Sequence, residues 1–238
     1  MKKNLIYFII SITVILILPL NVFADKICDY EFETGKSNLY VSNRTAEKCI
    51  ALTFDDGPHP KYTKQILDIL DKYNAKATFF VVGKNAQLYP DIVKEEYIRG
   101  HEIGNHTYSH PNLKNISAME FFEEISKTKE ILKEITGVSP VLFRPPGGYL
   151  NNAIVQEVRS IENTSVLWSW RQDTRDWACT ASDVIVKNVL DNLKDGDIIL
   201  FHDYNSRKSP TPEALEKILE HLSEKGYRFV TVSELMNM

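Results

Sequence analysis

Three cysteines in 238 residues, Cys28, Cys49 and Cys179, are too few for a disulfide scaffold. An oxidising compartment permits one bridge, for which Cys28 and Cys49 are the expected pair; Cys179 is read as a bystander. Glycine is also scarce, at ten residues, and no glycine-rich loop follows the first strand candidate, so the signature of a nucleotide-binding doubly wound sheet is missing. There is no repeat period and no low-complexity tract. Nor is there an excess of positive charge: 28 Lys and Arg against 32 Asp and Glu leave a net charge of −4, which excludes broad electrostatic binding to nucleic acid. The one long apolar run, residues 5–20, spans roughly 16 residues and falls short of the ~20 that cross a bilayer. Lys2 and Lys3 precede it and Val22-Phe23-Ala24 follow, a secretory signal pattern with cleavage after Ala24. Cleavage removes two lysines and no acids, leaving a charge of −6. The expectation is an exported protein, extracellular or wall-associated, held at a membrane only if residues 5–20 stay in place as an anchor.

What is present is ordinary globular composition, 43% hydrophobic and 25% charged. Residues 25–46 are polar without helical or strand period and read as a linker or packed N-terminal arm. Residues 47–238 read as one domain. Strands are predicted at 50–54, 77–82, 102–104, 141–144, 165–170, 197–201 and 227–230, alternating with helices at 63–73, 90–99, 118–136, 152–161, 182–193 and 212–225. Ser117 with Glu120 fits a capping box for the third helix, and Gly137 fits its stop. A helix between nearly every strand pair implies parallel connections. The predicted fold is therefore α/β: a distorted, seven-stranded (β/α) barrel forming a single catalytic domain, with an open doubly wound sheet as the alternative.

Polar clusters follow the predicted strands, where such a barrel carries its active site. Asp55 and Asp56 end the first strand. Two adjacent carboxylates there are costly to desolvate unless a cation, proton or metal compensates them. His106 and His110, at i and i+4, are expected on one side of a helical turn, a spacing that zinc and similar ions select. Two histidines and one carboxylate would leave a coordination position open for water. Side chains of consecutive extended residues diverge, so one aspartate can ligate and the other address substrate. Adjacent carboxylates do not fit a glycosidase pair, which must flank a sugar bond. Arg144 can pin an aspartate, and in the loop Pro145-Pro146-Gly147-Gly148 the Gly147 N–H can donate to an oxyanion. His202 closes the set as a candidate general acid, with Asp176 as the partner that keeps it protonated.

Thr53-Phe54-Asp55-Asp56-Gly57-Pro58, His106-x-x-x-His110, Arg144-x-Pro146-Gly147, Asp173-x-x-Asp176-Trp177 and Leu200-x-His202 resemble, in order, the motifs of the polysaccharide deacetylase family (carbohydrate esterase family 4, the NodB homology domain). The resemblance covers residues 47–238. It implies metal-dependent hydrolysis of N-acetyl groups on amino-sugar polymers, with Asp55 as base and Asp56, His106 and His110 as metal ligands. It further implies that Arg144 orients Asp55, that His202 is the acid with Asp176 beneath it, and that Trp177 and Leu200 line a pocket for the acetyl methyl. Asp173 is read only as a supporting residue behind that set. Position 147, where relatives often carry tyrosine, is glycine here, so the backbone N–H remains without the ring. The expected cofactor is a divalent ion, zinc first, with cobalt or another as alternatives. Peptidoglycan is the expected substrate, chitooligosaccharides and O-acetylated xylan-type glycans being the alternatives, and a monomer is expected.

Overall fold

The structure, a computed structural model, describes residues 39–238 apart from residue 162. The predicted signal segment and Cys28, expected from sequence to pair with Cys49, lie outside the described residues. Eight parallel strands form one sheet: β1 (Leu39–Tyr40), β2 (Cys49–Asp55), β3 (Ala77–Val81), β4 (Glu102–Asn105), β5 (Leu142–Phe143), β6 (Thr164–Val166), β7 (Ile198–His202) and β8 (Arg228–Val230). Their order is β1-β6-β5-β4-β3-β2-β7, with β8 pairing the first half of β2. All seven predicted strands are present. The eighth, β1, lies within the segment read as a linker or packed arm and raises the strand count from the seven expected: Leu39 and Tyr40 pair with Ser165 and Val166. Two residues are too short to show a period.

The edges of the sheet meet through irregular chain. Ser42 bridges Asp197, and residues 169–174, predicted in part as strand, instead run beside β7 with Ser169, Gln172 and Thr174 in backbone hydrogen bonds to it. The result is a barrel closed by loops on one side.

Around it lie α1 (Tyr62–Lys72), α2 (Gly83–Leu88), α3 (Pro90–Ile98), α4 (Ala118–Thr136), α5 (Asn152–Ser160), α6 (Ser182–Asn192), α7 (Thr211–Glu224) and α8 (Val232–Met236). The predicted capping box at Ser117 and Glu120 is formed, and Gly137 ends α4 with a φ of 80°. Helix α1 buries Ile66, Leu67 and Leu70, and α7 buries Leu215, Ile218, Leu219 and Leu222. This i, i+3, i+4 stripe forces each helix onto the sheet, every such side chain contributing about 1.5–3 kcal/mol.

Strand β2 is buried on both faces, which is why it reads as a continuous apolar run. Ile50, Leu52 and Phe54 pack outward against α1 and α7 residues, whereas Cys49 and Ala51 share an inner core with Phe80, Leu142, Val166 and Ile198. Helix α8, which the sequence reading missed, closes the bottom of this inner core with Val232 and Leu235. With the bottom plugged, the top of the inner face is left for polar residues.

Candidate active site

Strand periodicity carries the inward face of β2 from Ala51 through Thr53 to Asp55. Thr53 and Asp55 converge on one group: Arg144 Nη1 donates to Thr53 Oγ1 at 2.7 Å and to Asp55 Oδ1 at 2.8 Å. The guanidinium is fully buried. Its Nε and Nη2 donate to the carbonyls of Val166 and Leu167, each at 3.2 Å, and its plane sits 4.1 Å from the Phe80 ring. Four acceptors and an aromatic face replace the water it has lost, which is what a buried cation requires. Asp55 Oδ2 stays clear of the arginine and lies 3.8 Å from His106 Nε2.

The next residue leaves the strand abruptly. Asp56 has a φ of 75°, a left-handed backbone rare for a non-glycine residue. The two carboxylates therefore diverge because of this turn, not through the extended alternation expected from sequence. Asn85 Nδ2 donates to Asp56 O at 2.7 Å, and Val82 N to Gly57 O at 3.1 Å, pinning the turn. Position 57 must be glycine, since a side chain there would run into the buried Asp203 carboxylate, itself held by Thr63. Burial lifts the Asp203 carboxyl to about 7 against that hydrogen bond, with Asp56 and Asp55 adding to the rise.

His106 and His110 do not sit on a helical turn, as their spacing suggested. They flank a loop in which Thr107 (φ 66°) and His110 (φ 56°) are left-handed, and the loop brings the two ring centroids to 5.1 Å. Glu124 on α4 clamps this loop, accepting from Tyr108 N at 2.8 Å, Ser109 N at 2.7 Å and Ser109 Oγ at 2.8 Å. His106 Nδ1 lies 2.7 Å from Arg144 O. Donation of Nδ1–H to that carbonyl selects the tautomer whose Nε2 lone pair faces Asp56.

Asp56 Oδ1 lies 3.4 Å from His106 Nε2 and 3.3 Å from His110 Nε2. Ligands bonded to a tetrahedral zinc at ~2.0–2.2 Å lie roughly 3.4 Å apart, so the spacing fits such an ion. Asp56 Oδ1 is buried with no hydrogen-bond partner, and the three residues are the one metal-competent cluster among the described residues. Burial alone would raise the Asp56 carboxyl, but the His106 contact and the charges of His106, His202 and His110 hold it down at about 2. Against its own burial, the His106 imidazole has its proton affinity raised by Asp55 and Asp56. That electrostatic pull is the one a divalent cation would also meet.

On the neighbouring strand His202 ends β7, in register with Asp55. Its Nδ1 is 2.7 Å from Asp176 Oδ1 and its backbone N donates to Asp176 Oδ2 at 2.8 Å. Burial disfavours the charged imidazole, but Asp176 first, then Asp55 and Asp56, hold its pKa at about 9. Asp176 opens a short 3-10 turn, Asp176–Ala178, that also points Trp177 N at Asp176 Oδ1 at 2.9 Å.

These groups enclose a cavity of about 350 Å³ lined by Asp55, Asp56, His106, His110, Gly147, Trp168, Asp173, Trp177, Leu200 and His202. All eleven residues named from sequence meet here, nine on the wall, with Arg144 and Asp176 behind it. Asp173 corrects the expectation for it, since it forms part of the wall. Gly147, with a φ of 62° and no atom within 4 Å of where a side chain would begin, leaves its side of the wall open. Trp168 was missed, although it continues the inward alternation Thr164, Val166, Trp168. Glu124 and Thr211 were also missed, and Thr53 and Asp203 were given no role; their partners lie 15 to 140 residues away and leave no local signal. A larger depression of about 510 Å³ lies between the His106–His110 loop and α4, but there Glu120 serves the helix cap and Glu124 the loop clamp.

The arrangement gathers a carboxylate with one free oxygen, a cationic imidazole and a metal-competent triad around one cavity. Comparison with known proteins places the chain. The family model for polysaccharide deacetylase matches residues 42–166. A peptidoglycan-N-acetylglucosamine deacetylase of Bacillus cereus is 48% identical over 203 residues, 85% of this chain and 94% of that protein. A crystal structure of a peptidoglycan N-acetylglucosamine deacetylase superposes with a TM-score of 0.80 at 40% identity, covering 84% of this chain and 94% of the other. A family 4 acetyl xylan esterase from Clostridium thermocellum, solved with a cobalt ion, gives a TM-score of 0.73 at 36% identity over 79% of this chain and 90% of its own. The matched segment holds Asp55, Asp56, His106 and His110 in one cavity with Arg144 behind Asp55, and the chain belongs to the polysaccharide deacetylase family.

Proposed function

We propose that this protein hydrolyses the N-acetyl group of N-acetylglucosamine residues in peptidoglycan, releasing acetate and leaving a free amine on the glycan. The observation that carries the reading is the gathering of Asp55, fixed by Arg144, and His202, fixed by Asp176, around one cavity with the Asp56, His106 and His110 triad. The similarity to peptidoglycan deacetylases supports the choice of glycan. Export through residues 1–24 belongs to the same reading, since the substrate lies outside the cell.

Asp56, His106 and His110 would hold a divalent ion, zinc by the nitrogen and oxygen character of the set, and when bound it supplies a Lewis acid that polarises the acetamide carbonyl and acidifies water. Asp55 Oδ2, left free by Arg144, takes a proton from the water that attacks the carbonyl carbon. Gly147 N–H donates to the oxygen on which negative charge develops. His202, protonated at neutral pH, gives its Nε2 proton to the departing nitrogen as the C–N bond breaks. Trp177 and Leu200 pack around the acetyl methyl, and Trp168 walls the same space.

The test is acetate release from peptidoglycan fragments, chitooligosaccharides and acetylated xylan, by protein stripped of metal and then reloaded with zinc or cobalt. Release from peptidoglycan that vanishes on stripping and returns with zinc is expected. Fully loaded protein that frees acetate only from the xylan ester would overturn the amide assignment.

A further inference from the structure

The Asp176 carboxylate receives more hydrogen bonds than its pairing with His202 needs. Besides His202 Nδ1, His202 N and Trp177 N, it accepts a fourth at Oδ2 from Thr211 Oγ1, at 2.6 Å. Thr211 is 1% exposed and is the first residue of α7. Its hydroxyl is itself oriented: Ser209 Oγ donates to Thr211 Oγ1 at 3.0 Å, and Thr211 N donates to Ser209 Oγ at 3.2 Å. With Ser209 as the donor to Thr211 Oγ1, the Thr211 proton is left for Asp176, to which it is donated. The partially positive start of α7 lies at the same oxygen and favours the anion.

We propose that Thr211 is a positioning residue for the reaction, locking the Asp176 carboxylate through a Ser209–Thr211–Asp176–His202 chain so that the His202 imidazole faces the substrate nitrogen. The chain has a consistent sense, each hydroxyl donating toward the carboxylate and the carboxylate accepting from the imidazole. Without the Thr211 bond, Oδ2 keeps only the His202 backbone N–H, and the carboxylate is held less firmly in the plane that meets Nδ1. A buried acceptor that loses a charge-assisted partner loses about ten- to a hundredfold in the step it supports. No substrate contact is involved, so binding is unaffected.

The inference rests on the deacetylase reading, and the two fail separately: acetate release by the parent enzyme tests that reading, and variant-to-parent ratios test this one. T211V keeps the shape of threonine without the hydroxyl, whereas T211S keeps the hydroxyl without the methyl. In zinc-loaded enzyme T211V is expected to lower kcat about tenfold or more, with KM, zinc content and Tm close to those of the parent, and T211S to recover kcat to within about threefold. Parent-like kcat in T211V, or a T211S as slow as T211V, overturns the proposal. Should T211V not fold, S209A decides: it leaves Thr211 in place and removes the group that orients it. A kcat loss of about threefold in folded S209A supports the chain, and an unchanged kcat overturns it.

Discussion

Arg144 Nη1 stands 2.8 Å from Asp55 Oδ1, both groups buried, in a contact spanning 89 residues of sequence. Removing one partner leaves an uncompensated buried charge, which costs about 3–5 kcal/mol. R144A is therefore expected to lower stability by that order in urea unfolding and to reduce kcat/KM by at least about a hundredfold. R144K is expected to rescue neither fully, since an ammonium cannot reach the acceptors on β2 and those at Val166 and Leu167 together.

Asp55 and Asp56 are adjacent in sequence but have different partners, Arg144 for the first and the His106–His110 pair for the second, and single substitutions should separate them. D55N is expected to keep stoichiometric zinc while losing about 10²–10⁴ in kcat, the range of a general base. D56A is expected to lose the zinc itself. Metal content by mass spectrometry after gel filtration, alongside acetate release, checks both; a D56A protein holding parent levels of zinc would remove Asp56 from the triad.

Glu124 touches no reacting group, yet its carboxylate holds the backbone of Tyr108 and Ser109 between the two histidines. E124A should free a loop that carries left-handed residues at Thr107 and His110. Zinc affinity is expected to fall roughly 10–100-fold, as for other outer partners of metal ligands. Competition with a chromogenic chelator measures this, and an unchanged affinity contradicts the clamp.

The His202 pKa of about 9 sets a pH dependence. The folded value lies above the ~6.5 of a free histidine, so its stabilising contribution is complete below about pH 6.5 and is lost as pH rises through 9. As an acid His202 must be protonated, so kcat/KM is expected to fall on the alkaline side, at or below about pH 9 because a bound cation adds opposing charge. D176N removes the largest support of that charge and is expected to move the falling limb to lower pH, read from kcat/KM against pH. A limb that stays in place would dissociate His202 from the profile.

Much of this site was legible locally. A strand that ends in Asp55-Asp56-Gly57, a histidine pair, an arginine before two prolines and a histidine at the end of an apolar run each declare themselves within a few residues. The burial pattern of β2 and the capping box of α4 do the same for the fold. Where local rules failed, the cause is identifiable. The i, i+4 spacing of His106 and His110 implied a helix, but Pro111 and the Glu124 clamp favour a left-handed loop. Strand β1 is two residues long, and residues 169–174 join β7 through hydrogen bonds that no periodicity announces.

The sequence by itself determined which chemical groups are available and in what order the strands deliver them, because side-chain direction along a strand and capping at a helix start depend on neighbours in the chain. Only the tertiary structure decided the division between Asp55 and Asp56, the reach of Arg144 to Thr53, and the attachment of Thr211 to Asp176. Those contacts join residues 35 to 91 positions apart. They exist because sheet closure brings the strand ends onto one rim, where buried polar groups must find partners or pay the full cost of desolvation.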